Sequence, residues 1–167
     1  MIDKSSRHQK IAGDFGENLT IYLLSKYGFE ASMVDHTGID IVAYNKKSVN
    51  RIGVSVKTRT RSEKRPEDGL LIKRDSYKKI ISACEFFNAV PWFSIVIDQP
   101  SVNKSGTITL FLLNLDNLLK YYPNFKEGND FTWSMVKKSM QRYEKDQSIS
   151  IIKFHYDIKN WFKDSKI

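Results

Sequence analysis

Residues 37 to 61 read TGIDIVAYNKKSVNRIGVSVKTRTR, and their period-two patterning constrains the fold more than any other stretch of the chain. In GIDIVAY, Ile39, Ile41 and Ala43 alternate with Asp40, Val42 and Tyr44. In IGVSVKT, Ile52, Val54, Val56 and Thr58 alternate with Gly53, Ser55 and Lys57. Successive side chains of a strand point to opposite faces, so each segment is predicted to be a strand. NKKSVN between them is a polar hairpin turn. A short strand over residues 30–35 precedes them, and three strands with short links form an antiparallel meander. In the expected register Asp40, Ser55 and Lys57 share one face. An aspartate in mid-strand is disfavoured there, which is a reason to look for chemistry around it.

Upstream, IAGDFGENLTIYLLSKYGF has helical spacing and is closed by Gly28, a usual helix stop. Phe15, Leu19, Tyr22 and Leu23 share one face, and Glu17, Ile21 and Leu24 lie roughly opposite. A helix apolar on two sides is expected to be buried on both, and a carboxylate on such a side needs a partner or a metal. Glu17 therefore stands out from the surface acids.

Downstream, KTRTRSEKRPEDG reads as a basic loop with Pro66 and Gly69 as breakers. A second helix over about 74–88 carries a core stripe of Tyr77, Ile80, Ile81, Cys84 and Phe87, with Cys84 a buried, inert thiol. PWFSIVID and TITLFLLN are apolar strands separated by QPSVNKSG. Beyond Asp116, NLLKYY and TWSMVKKSMQRYEKD read as helices, SISIIKF as a strand and the last residues as a short helix. Trp133, Tyr143 and Trp161 are expected to pack rather than stack on bases. The chain is expected to be one α/β domain over 1–167, with a core over about 10–115 and a helical C-terminal elaboration over about 116–167.

At 167 residues such a domain can bury a sizeable core. The sequence has no apolar run long enough for a bilayer, and MIDKSSRHQK is no secretory signal. One cysteine excludes an intrachain disulfide and the multi-cysteine zinc patterns. These features suggest a reduced, cytoplasmic setting without a membrane. Lys and Arg number 27 against 19 Asp and Glu, and the resulting +8 favours a polyanionic partner, nucleic acid first.

The order helix, three-strand meander, helix, strand resembles the core of the PD-(D/E)XK nuclease superfamily over about residues 10–98. The likeness is to its Holliday-junction-resolvase and restriction-endonuclease-like branches. GDFGEN resembles the first-helix motif with its glutamate, Glu17; GID resembles the Gly-x-Asp variant of the second strand, with Asp40. VSVK sits where the family has an acidic residue or Gln, any residue, then Lys, and so supplies Lys57. The resemblance implies a restriction-endonuclease-like fold with a mixed central sheet and a Mg²⁺- or Mn²⁺-dependent endonuclease acting on DNA, with RNA left open and a homodimer as the family's frequent assembly. It implies a catalytic set of Glu17, Asp40, Ser55 and Lys57, with Glu17, Asp40 and the Val56 carbonyl as metal ligands. Mg²⁺ usually takes one or two carboxylates, waters and phosphate oxygens, and lowers the pKa of an attacking water. A nearby ammonium orients that water or offsets developing negative charge.

Ser55 departs from the pattern. A neutral hydroxyl removes a negative charge and binds Mg²⁺ more weakly than a carboxylate, which favours one metal over two. Asp35 and Glu63 are candidates for a migrated acid. Arg59, Arg61, Lys64 and Arg65 follow the candidate catalytic strand and are expected to hold the DNA backbone. With Lys57 they make five phosphate contacts, a log–log salt slope of about −4 to −5. Two other functions compete: a non-catalytic nucleic-acid-binding module in which Ser55 marks a lost metal, and an assembly subunit whose charge serves solubility.

Overall fold

The computed structural model describes residues 4–47, 50–61, 69–100 and 105–157. Its elements are α1 (His8–Lys26), β1 (Glu30–His36), β2 (Ile39–Tyr44), β3 (Arg51–Thr60), β4 (Leu70–Ile72), α2 (Asp75–Phe86), β5 (Val90–Pro100), β6 (Ser105–Asn114), α3 (Leu115–Tyr121), β7 (Phe131–Trp133), α4 (Lys137–Lys145) and β8 (Ser150–Asp157). Six strands form one sheet in the order β1-β2-β3-β5-β6-β8, and β4 pairs with β7 in a second, two-stranded sheet. The main sheet is mixed: β3 and β5 run parallel, across the α2 connection, and the other neighbours are antiparallel. The mixed α/β architecture and the β1-β2-β3 meander are those the sequence predicts.

Alternation along the strands supplies two apolar faces. Ile52, Val54 and Val56 join Leu23 and Leu24 of α1 in one cluster. Phe93, Ile95 and Ile97 of β5 join Ile80, Ala83 and Cys84 of α2 in the other, which continues into the C-terminal elaboration through Trp133 and Tyr143. Each fully buried aliphatic or Phe side chain contributes about 1.5–3 kcal/mol. Trp133 and Tyr143 are buried and stacked on each other with ring centroids 4.2 Å apart, as packing residues should be. Burial pushes the Cys84 thiol up to about 11, so it is inert at neutral pH.

Several expectations are corrected. α1 is not buried on two sides: Gly16, Thr20, Leu23 and Leu24 are buried, while Phe15 and Tyr22 are exposed. The sheet covers one flank of α1, and an apolar residue has no core to join on the flank away from it. The basic stretch is not loop from its start. β3 runs on to Thr60, held in register by β5 down to the Thr60–Asp98 pair. Arg61 continues that line: its N–H donates to the Asp98 carbonyl at 2.9 Å, and the residue is 1% exposed. Thr132 and Trp133 lie in a strand rather than a helix, because Trp133 pairs with Leu70 across the small sheet. The C-terminal elaboration thus holds α3 and α4 and adds strands, β8 forming the far edge of the main sheet. Trp161 and the predicted final helix lie outside the described residues.

Candidate functional site

β2 and β3 pair from Tyr44–Arg51 to Ile41–Val54, and Asp40 and Val56 lie just past that last pair. There a side chain replaces the backbone partner: the Val56 N–H donates to Asp40 Oδ2 at 2.6 Å. The N–H and C=O of one strand residue point to the same side, so the Val56 carbonyl also faces the gap. It accepts from Lys57 Nζ at 3.2 Å, and the same ammonium donates to Ser55 Oγ at 2.9 Å. Ser55 and Lys57, two apart, share a face as the alternation requires. Ser55 is 2% exposed, so its hydroxyl anchors the lysine rather than meeting a substrate.

Glu17, electrostatically coupled to Asp40 and Lys57, directly follows the residue at which α1 lies against β3. A Cβ at Gly16 would overlap Thr58 Oγ1 and stand 3.1 Å from Thr58 Cβ and 3.3 Å from its Cγ2. Only a residue without a side chain lets the helix settle there, and the next residue is Glu17. Thr20 secures the contact, donating or sharing its hydroxyl with the Gly16 carbonyl and Ser94 Oγ, both at 2.8 Å. Ser94 is the β5 register partner of Val56. The GDFGEN motif thus has a steric meaning: Gly16 docks the helix on β3, and Glu17 is the next residue.

The charges act on one another. Burial, then the Asp40 and Asp14 carboxylates, hold the Glu17 carboxyl above its ordinary value, while Lys10 and Lys57 pull it down. Burial lowers Lys57 from the usual lysine value; Asp40 and Glu17 oppose that shift and Lys79 adds to it. Two carboxylates and one desolvated ammonium therefore share a single electrostatic neighbourhood.

Lys79 is not among the residues that the sequence singles out. The structure brings it in through Gly38. That residue has φ +114°, and a Cβ on it would overlap the Lys79 carbonyl oxygen. The turn between β1 and β2 therefore lies against the backbone of α2.

Of the expected backbone contacts, Arg59 is half-buried on the same side of β3 as Lys57. Arg61 is buried, and Lys64 and Arg65 lie outside the described residues, as does Glu63. Asp35 is exposed on β1. Among the described residues no group of three or more His, Cys, Asp and Glu side chains is placed to hold a metal. Among the described residues, too, no helix is long and apolar enough to cross a membrane.

No protein-family model matches the sequence, and no curated protein matches it. Among solved structures the chain is similar to Archaeoglobus fulgidus Hjc, a Holliday junction resolvase from an archaeal hyperthermophile, at 19% identity and a TM-score of 0.38, over 59% of this chain and 88% of that one. The functional reading therefore rests on the geometry of the site.

Proposed function

We propose that this chain is a nucleic-acid phosphodiesterase, a one-metal endonuclease acting on DNA, with its site at the parting of β2 and β3. The observation that carries the reading is the convergence on the Val56 peptide of the Asp40 carboxylate and the Lys57 ammonium, with Glu17 electrostatically coupled to both. The donor set fits one hard divalent cation. Glu17 and Asp40 offer carboxylate oxygens; burial first and the Asp40 carboxylate second raise the Glu17 carboxyl, and a cation relieves the repulsion between the two. The Val56 carbonyl is the third oxygen. With a serine at position 55 the strand supplies no second carboxylate beside Lys57, which favours one ion over two.

When bound, Mg²⁺ or Mn²⁺ supplies Lewis acidity toward a phosphodiester oxygen and a water of lowered pKa. The chain's residues do the rest. Asp40, fixed by the Val56 N–H, holds its free oxygen toward the gap. Ser55 tethers the Lys57 ammonium, which offsets negative charge on a phosphate entering there. Arg59, farther along the same strand, contacts the neighbouring backbone, joined by Lys64 and Arg65. Buried Arg61 is left out of the contact set.

A second reading, a nucleic-acid-binding module without cleavage, is favoured by one observation. Lys57 Nζ occupies both Ser55 Oγ and the Val56 carbonyl, the oxygen a metal needs. Calorimetric titration of Mg²⁺ and Mn²⁺ into the protein and its Asp40→Asn variant, followed by cleavage assays on branched and linear DNA, separates the two. Cation binding abolished by Asp40→Asn, together with cleavage lost in that variant, supports the nuclease. DNA binding without cation-dependent cleavage supports the module.

A further inference from the structure

Phe86, the last residue of α2, is 76% exposed, more than any other large hydrophobic side chain among the described residues. It does not stand alone. Its ring lies nearly parallel to the His36 imidazole, 15° between planes and 5.7 Å between centroids. Phe87, partly buried against the core, meets both rings edge-on, at 5.4 Å from His36 and 5.1 Å from Phe86. An offset stack buttressed from below and open above is a rigid π surface.

Its position ties it to the site. His36 is the register partner of Ile39, the residue before Asp40. Lys79 and Phe86 are seven residues apart on α2, two turns, and so lie on one flank about 10 Å from each other. That flank is the one held against the turn between β1 and β2, by Gly38 at Lys79 and by His36 at Phe86. Lys79 is exposed and makes no ion pair among the described residues, so its ammonium is available to a phosphate.

We infer that His36 and Phe86 form a stacking platform for an unpaired nucleobase and that Lys79 holds the phosphate between that base and the site. This rests on the proposed nuclease reading and deepens it: the substrate is DNA with an unpaired nucleotide beside the scissile phosphate, rather than continuous duplex. In a duplex both faces of every base are already stacked, and the platform has nothing to accept. A single-stranded or branched strand presents a free base face about one nucleotide from each phosphate, and stacking on an aromatic ring does not depend on which base it is.

The test uses the full chain in EDTA, so that binding is read without cleavage, with two probes. One is a single-stranded oligonucleotide carrying 2-aminopurine, and the other is a blunt duplex of the same length. The parent should prefer the single-stranded probe and quench its fluorescence. Phe86→Ala should weaken that binding by roughly 5- to 100-fold and remove the quench, while duplex binding changes less than twofold. Phe86→Trp should restore both, and circular dichroism checks that each variant is folded. Equal affinities of Phe86→Ala and parent for the single-stranded probe would overturn the platform, as would an equal loss on both probes. A Phe86→Ala variant that turns a dimer into a monomer in sedimentation, without changing the preference between probes, would mark the patch as a protein interface and overturn it too. Failure to bind either probe at low salt would overturn the nucleic-acid reading itself, whereas binding without cleavage in Mg²⁺ leaves the platform standing and removes the nuclease.

Discussion

Gly16→Ala tests whether close docking of α1 places Glu17. The added methyl would overlap Thr58 Oγ1 and stand 3.1 Å from Thr58 Cβ and 3.3 Å from its Cγ2. Turning the hydroxyl away gives little relief, because a β-branched side chain in a strand has few alternative χ1 positions and Thr58 Cβ stays where it is. Against an ordinary carbon–carbon separation of about 3.5–4.0 Å, the helix must retreat by at least about 0.5 Å. Overpacking of this kind costs about 1–3 kcal/mol, and the better helix propensity of Ala returns up to about 1 kcal/mol. The expected net loss is about 1 kcal/mol, read as a lower urea midpoint at unchanged slope. The site should suffer more than the fold. A misplacement of about 1 Å costs roughly a hundredfold in rate, so about 0.5 Å should cost on the order of tenfold in cleavage. Adding Thr58→Ala removes Oγ1 and Cγ2 but leaves Cβ in place, so the double variant should recover part of both losses. If Gly16→Ala matches or exceeds the parent in urea midpoint and cleaves at the parent rate, close docking is not what positions Glu17.

Ser55→Asp should strengthen Mn²⁺ binding by about tenfold or more in calorimetry, since it adds a carboxylate beside Asp40 and draws Lys57 off the Val56 carbonyl; unchanged or weaker binding would show that Ser55 is not the weak point of the site. Asp40→Asn should abolish cleavage while losing no more than about 1 kcal/mol of stability, because the amide oxygen still accepts the Val56 N–H; a variant that still cleaves would remove Asp40 from the catalytic set. Glu17 binds its proton more tightly folded than unfolded, as burial and Asp40 raise its pKa above 4.5. It therefore makes stability fall as pH rises through 4.5 to the folded value and level off above it, and Glu17→Gln should flatten that segment of the urea-midpoint profile between pH 4 and 7. Arg59→Ala should reduce the log–log salt slope of duplex binding by about 0.9, one phosphate contact; an unchanged slope would take Arg59 off the backbone.

Local signals carried much of this molecule. Period-two alternation is set residue by residue, so the two strands around Asp40 and Lys57 were legible, together with the shared face of Ser55 and Lys57. The end of α1 was legible from Gly28, whose φ of +85° suits a residue without a side chain. The two-residue spacing could not say where the Lys57 ammonium would come to rest. That depended on β2 and β3 separating just past the Ile41–Val54 pair, which left the Val56 carbonyl open to it. Arg61 was misplaced for a related reason. A run of basic and polar residues has the composition of a loop, and only pairing with β5 carried the strand to Thr60 and Arg61 under cover.

The sequence by itself determined the meander and the first helix, because each follows from local periodicity, while the set Glu17, Asp40, Ser55 and Lys57 is what the family resemblance implies. Only the tertiary structure decided which flank of α1 was buried, that Glu17 is electrostatically coupled to Asp40, and that α2 lies with Lys79 and Phe86 against the turn between β1 and β2. Those outcomes depend on contacts between segments far apart in the chain, such as Gly16 on Thr58 and Gly38 on Lys79, whose fit is a matter of ångströms that no local pattern encodes.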